Sequence, residues 1–373
     1  MMKKILYFVD RARRGGIQSF LKTICSSLPK NEFDISMLVL DDGEDYKNLE
    51  NEYIELGVHF YKLEGIWLSH FSSYKKYKQK LCEFFSTHQF DIVHINSGPK
   101  NFIIAKIARY YGVKQIIYHS HNTGYQTKNL LKICYGNILK KRVAKYCSDY
   151  VACSFEAGQW MYSKAILNSN RFKVIHNPIH VKEFTFSDEK RDYFRKEFNL
   201  SDCFVIANIA RLSEQKNQSF LLKIMKELIG MNSQTKLVFI GTGELEKELC
   251  SLSEKLDLSQ NVLFLGFRND VNSVINMADL IVMPSLFEGY PISAIEAQAN
   301  GLPVLMSDTI TKEAMLKENS AMLSLKQSPK EWAEYIFTNY IKKENSRVAP
   351  NNINEYSVDF IVKELCEIYN SKN

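Results

Sequence analysis

The chain has 373 residues, 45% of them hydrophobic and 24% charged, with a formal net charge of +6. That length exceeds what one hydrophobic core usually spans, so two domains are expected, and the composition excludes an intrinsically disordered chain. Eight cysteines show neither a C-x-x-C pair nor a dense framework, which excludes a disulfide scaffold and reads as buried thiols.

The charge is uneven. Residues 1–180 hold 26 Lys+Arg and 15 Asp+Glu, net +11, and the remainder holds 22 and 27, net −5. A basic first half suits a membrane surface, an anionic acceptor or nucleic acid. The first apolar run, residues 5–9, is far too short for a signal-peptide core or a membrane span, and no later run approaches about 18 residues, so a cytoplasmic protein is expected.

Taken in order, β-rich runs at residues 5–9, 35–40, 92–95, 115–118, 150–153 and 173–175 alternate with helical patterns, which predicts a parallel α/β sheet. After the first run, Arg13-Arg14-Gly15-Gly16-Ile17 opens a helix and would expose amides to a phosphate or sugar. Gly-Gly turns also occur without ligands. His119-Ser120-His121 ends the fourth run, so both imidazoles project to one side. They could bind metal with His94 as third ligand, or hydrogen-bond a substrate. Lys128, Lys132, Lys140, Lys141, Arg142 and Lys145 share a segment with Leu130, Leu131, Ile133, Ile138, Leu139 and Val143, with no acid among them. This predicts a basic amphipathic helix, either a membrane-surface contact or the solvated face of a core helix.

Asn177-Pro178 and the polar run over residues 182–195 mark the expected domain junction, near residue 180. The pattern then restarts with runs at residues 204–209, 237–240, 262–265, 280–283 and 304–305, so a second doubly wound domain is expected. Residues 355–369 repeat apolar positions at 360, 361, 365 and 368, as a closing helix would. In open α/β sheets ligands bind beyond the carboxyl ends of strands. Arg211 and Lys216 follow the 204–209 run and could neutralise a departing nucleoside diphosphate; the bland alternative is two solvated loop cations. Gly241-Thr242-Gly243 is a poor dinucleotide fingerprint, because Glu246 stands where the third glycine belongs. No Asp-x-Asp pair exists to hold a bridging divalent ion, so no metal is expected.

The most informative stretch is Phe287-Glu288-Gly289-Tyr290-Pro291 with Glu296 inside the helix that follows. Pro291 suits a first helical position and Gly289 allows close backbone approach. Ile292, Ile295 and Ala299 form an inward stripe, and Glu296 lies along it, where a lone carboxylate is costly unless hydroxyls donate to it. Two acids around a helix start point to a sugar nucleotide.

These features resemble the glycosyltransferases of family 4, whose GT-B architecture sets two Rossmann-like doubly wound domains facing a cleft. The resemblance rests on Gly15-Gly16, His119-Ser120-His121-Asn122, Arg211 and Lys216, Gly241-Thr242-Gly243-Glu244, Gly266-Phe267-Arg268, and Glu288 and Glu296 with seven residues between them. It implies an acceptor-side domain over 1–179, a nucleotide-sugar domain over 180–352, and a closing segment 353–373 packed back on the first domain. It also implies that Glu296 holds the ribose hydroxyls, Arg211 and Lys216 the diphosphate, and Phe267 and Arg268 border the base. Glu288 with the backbone of Gly289, Tyr290 and Pro291 would orient the donor sugar. Gly15 and Gly16 would approach the phosphates, and His121, with His119 behind it, would line the sugar and acceptor side.

The expected reaction is retaining, metal-independent and cofactor-free. A hexose or N-acetylhexosamine would pass from a nucleotide sugar to a lipid-linked glycan at the inner membrane face, with peripheral contact to anionic lipid. The His-Ser-His-Asn form is similar to the branch that builds bacterial capsule, exopolysaccharide or lipopolysaccharide, usually from uridine diphosphate sugars. One departure stands out: many relatives have Asn-Gly where this chain has Asn177-Pro178, which implies a stiffer hinge. A non-hydrolysing sugar-nucleotide epimerase would need acid/base carboxylates that the sequence does not advertise. A nucleic-acid-binding protein would need an aromatic-rich basic motif, which is also lacking.

Overall fold

The computed structural model describes residues 2–11, 16–41, 46–63, 71–125, 129–343 and 347–371. Arg13, Arg14, Gly15 and Lys128 lie outside them. The chain divides into two units, Met1–Pro178 with Val358–Asn373, and Ile179–Ser357.

The first unit is a seven-stranded sheet of β1 (Lys3–Arg11), β2 (Phe33–Asp41), β3 (His59–Lys62), β4 (Ile92–Asn96), β5 (Gln115–Ser120), β6 (Asp149–Ala152) and β7 (Phe172–Val174). All pairings are parallel, in the order β3-β2-β1-β4-β5-β6-β7. The central strands β4 and β5 are buried at every residue. This is why they read as continuous aliphatic runs rather than as alternation. One core face joins Ile5, Tyr7 and Val9 to Phe20, Leu21 and Ile24 of the helix Gly16–Ser27, and to Ile361, Leu365, Ile368 and Tyr369 of the helix Val358–Asn370. Apolar residues of that last helix recur every three or four positions, so one face of it completes this core.

The second unit repeats the plan with β8 (Phe204–Ile209), β9 (Thr235–Ile240), β10 (Val262–Phe264), β11 (Leu280–Met283), β12 (Val304–Ser307) and β13 (Ala321–Leu323), in the order β10-β9-β8-β11-β12-β13. Leu221, Leu222, Met225 and Leu228 of the helix Gln218–Met231 pack with Ile206, Leu237, Phe239, Val282 and Trp332. Asp279, just before β11, accepts from Arg191 and Arg195, each at 2.5 Å, and from the Val205 amide at 2.8 Å, tying the helix Asp188–Glu197 to the sheet.

Several expectations need correction. The edge strands β3 and β13 are absent from the runs read in the sequence, because they are short and only partly buried. The polar run over 182–195 also carries a helix: Ser187 caps it, with Asp188 and Glu189 in its first turn and Arg195 and Lys196 in its last, so its charges match the helix dipole. No disulfide joins the described cysteines, but only Cys25, Cys147 and Cys153 are buried, and Cys134 is exposed. Among the described residues no helix is long and apolar enough to cross a membrane.

Candidate sugar-nucleotide site

In each unit the strand order reverses between the first and fourth strands, and such a switch point is where ligands settle in open α/β sheets. In the second unit the loops leaving β8 and β11 flank that point. They are stitched together: the Leu286 amide donates to the Gln215 carbonyl at 2.8 Å, Gln215 Nε2 to the Phe287 carbonyl at 2.9 Å, and Asn217 Nδ2 to the Pro284 carbonyl at 3.1 Å. Asn217 takes the left-handed conformation, with φ 54°, to turn from the loop into the helix Gln218–Met231.

Lys216 and Glu288 therefore meet, with Nζ 2.5 Å from Oε1 and both largely buried. Sequence reasoning treats them as separate instruments for phosphate and sugar; the structure makes them an ion pair, so Lys216 is not a bare cation. Arg211 is 68% exposed on its side chain and bonds Glu244 at 3.0 Å. Glu244 sits below the usual carboxylate range, first through its backbone hydrogen bond and then through Arg211.

Gly241-Thr242-Gly243, a poor fingerprint in the sequence, has a packing reason instead. A Cβ on Gly241 would lie 2.1 Å from the Ala210 carbonyl oxygen, and one on Gly243 would lie 2.1 Å from that of Leu212. The two glycines let this loop close onto the one carrying Arg211, where the Leu212 amide donates to Thr242 at 3.0 Å. The Gly241 amide donates to Gly266 at 2.8 Å, which brings in the loop after β10. There Phe267 is exposed, and Arg268 forks onto Asp270 at 2.7 and 2.6 Å.

The helix after β11 runs Ile292–Ala299, with Pro291 at its N-cap rather than at its first helical position. The Pro291 carbonyl accepts from the Ala294 amide, so the proline stands half outside the ladder. Tyr290 is buried, stacked on Tyr356 with centroids 6.1 Å apart, and shapes the loop by packing. Gln298 is a hub that sequence reasoning overlooked: it donates to Ala294 and Ala314 and accepts from the amides of Leu316 and Lys317. Glu296 is half-buried and has no side-chain partner among the described residues, and burial pushes its carboxyl up to about 7. A polar group held this way lacks a donor.

In the first unit Gly16 begins the helix after β1, and among the described residues nothing lies within 4 Å of where its Cβ would be. The histidines lie on β4, on β5 and just after β5. His94 Nε2 is 3.3 Å from His119 Nδ1, and the His119 and His121 rings stack at 4.0 Å, with Phe20 edge-on to both. His121 Nε2 is 2.9 Å from Asn96 Oδ1, and Asn96 gives its amide hydrogen to the His94 carbonyl, so His121 is the donor and its Nδ1 is left as an acceptor. Burial lowers His94 and His121 to about 3 and His119 well below its ordinary value, so all three are neutral. These imidazoles form a row. Among the described residues no three His, Cys, Asp or Glu side chains converge as metal ligands.

Comparison with known proteins accounts for both units. Residues 14–183 match the model described as Glycosyltransferase Family 4, and residues 189–355 match Glycosyl transferases group 1. The chain is 25% identical over 322 residues to the UDP-Gal:alpha-D-GlcNAc-diphosphoundecaprenol alpha-1,3-galactosyltransferase of Escherichia coli, covering 84% of this chain and 80% of that protein. It is 22% identical over 380 residues to the amylovoran biosynthesis glycosyltransferase AmsD of Erwinia amylovora, covering 99% and 100%. The Anabaena HepE protein, solved in complex with UDP and glucose, superposes with a TM-score of 0.79 at 20% identity, covering 99% and 100%. The epimerase and nucleic-acid alternatives gain no support from these likenesses.

Proposed function

We propose, from the premise that this chain is a glycosyltransferase whose first half belongs to the Glycosyltransferase Family 4 domains and whose second half belongs to the Glycosyl transferases group 1 domains, that it moves a hexose or N-acetylhexosamine from a UDP-sugar to a lipid-linked glycan, with retention of anomeric configuration. The observation that carries the reading is Glu296: a half-buried carboxyl without a donor among the described residues, in the helix that follows the Glu288 loop. A ribose supplies two hydroxyl donors, and ionised Glu296 accepts both.

Arg211 and Lys216 take the diphosphate. Lys216 keeps two N–H donors after pairing with Glu288, and Arg211 exchanges Glu244 for phosphate oxygens. Charge that develops on the leaving diphosphate meets these groups without a bridging metal. Phe267 and Arg268 border the base, and Glu288 with the backbone of Gly289, Tyr290 and Pro291 orients the sugar. Neutral His121 accepts from a sugar or acceptor hydroxyl through Nδ1. The leaving phosphate takes the acceptor proton on the same face, so no protein nucleophile is needed. A UDP-sugar is supported by the UDP-Gal in the name of the E. coli relative and the UDP bound to HepE, and a lipid-linked acceptor by the diphosphoundecaprenol in the former name.

Place in the cell belongs to the same proposal: surface-polysaccharide synthesis at the inner membrane face, docked through the helix Leu130–Tyr146. Incubation with UDP-sugars and a polyprenyl diphosphate-linked glycan in the presence of chelator tests the reaction. The expected product has the donor's anomeric configuration by its NMR coupling. An inverted product, or isomerised donor without acceptor, sinks the reading.

A further inference from the structure

A line of buried hydroxyls and imidazoles crosses the first unit's sheet and ends on the helix Val358–Asn370. Tyr7 on β1 and His94 on β4 are register partners, as are Asn96 on β4 and His119 on β5. Tyr7 Oη is 2.7 Å from Tyr369 Oη, Tyr369 Oη is 2.8 Å from His94 Nδ1, and His94 Nε2 is 3.3 Å from His119 Nδ1. All four residues are 0% exposed. Among the described residues Tyr7 has no other hydrogen-bond partner, and His119 Nε2 has none at all.

Hydrogen bonds must run one way along such a line, because each neutral imidazole has one N–H and one lone pair. Suppose His119 Nδ1–H donates to His94, His94 Nδ1–H to Tyr369, and Tyr369 to Tyr7. The Tyr7 proton and the His119 Nε2 lone pair are then both buried without partners. In the opposite direction Tyr7 donates to Tyr369, Tyr369 to His94 Nδ1, and His94 Nε2–H to His119 Nδ1. That leaves one buried orphan, the His119 Nε2–H, so it is the favoured direction.

We propose that Tyr369 is a positioning residue for the site histidines: the chain Tyr7→Tyr369→His94→His119 holds both buried imidazoles as the Nε2–H tautomer and fixes the ring on which His121 stacks. The last helix of the chain thereby sets the geometry of a residue just after β5. Its catalytic consequence rests on the reading that His121 faces the transferred sugar or the acceptor; the hydrogen-bond direction does not.

Long-range proton–nitrogen NMR of histidine-labelled protein tests it. In the unmodified protein His94 and His119 each show a protonated Nε2 and a bare Nδ1. Tyr369→Phe keeps the ring and removes the donor, so both histidines lose their single tautomer, and kcat falls about tenfold with donor KM within about twofold. Tyr7→Phe leaves both tautomers in place, because Tyr369 still donates to His94. A protonated Nδ1 on either histidine of the unmodified protein overturns the proposal. So does a folded Tyr369→Phe protein with unchanged tautomers and turnover. The spectrum of the unmodified protein decides the direction even if the variant fails to fold. Expected tautomers in a protein that transfers no sugar would support the chain and count against the transferase reading instead.

Discussion

At the scale of single residues, Glu296 is the decisive group, and its acidity gives a test that needs no substrate. An ordinary glutamate carboxyl titrates near 4.5, and here burial raises it to about 7. The folded state therefore binds the proton more tightly, so this residue's contribution to stability falls as pH rises from about 4.5 to about 7, and the loss is complete above that. Glu296→Gln removes the titration: its stability should lack that decline and exceed the unmodified protein's at pH 8 by on the order of 2 kcal/mol in denaturant unfolding. Identical pH profiles for the two proteins would show that Glu296 carries no burial penalty. The need of Glu296 for a partner was legible, because helical phase alone puts a carboxylate on an apolar stripe. The Lys216–Glu288 pair was not: its members are 72 residues apart and meet only because β8 and β11 are neighbours. Nor was the contact between His94 and Tyr369, 275 residues apart, since nothing in either local sequence names the other.

At the scale of elements, the helix Leu130–Tyr146 shows how a pattern can be seen and its faces still be ambiguous. Its buried residues are Gly136, Leu139 and Val143. Leu131, Tyr135 and Ile138 lie on another side and are 82%, 63% and 56% exposed, together with Lys141, Arg142 and Lys145. The sequence shows apolar and basic residues mixed in one segment, but which apolar residues face the core depends on what the helix packs against. An exposed apolar stripe among cations is the surface a membrane interface with anionic lipid would accept. Flotation with anionic vesicles should carry the protein upward, neutral vesicles should not, and Leu131→Glu with Ile138→Glu should abolish the effect. Equal partitioning to both vesicle types would count against electrostatic docking. Edge strands show the opposite limit. Residues 59–62 read His-Phe-Tyr-Lys and register as β3 only because β2 is already there to pair with.

For the whole molecule, the doubling of the fold was legible because the aliphatic runs stop near Pro178 and restart at residue 204. The matching strand order of the two sheets was not, since runs of similar composition do not say which is central. That order gives each unit a switch point, and in the second unit the Arg211–Lys216 loop and the Glu288 loop converge there. The proposed transfer requires a nucleotide in that place. Calorimetric titration of UDP into the unmodified protein and into Glu296→Ala tests this most directly. A carboxylate that accepts two ribose hydroxyls should cost at least about tenfold in affinity when removed. Unchanged UDP affinity in a folded Glu296→Ala protein would contradict the account.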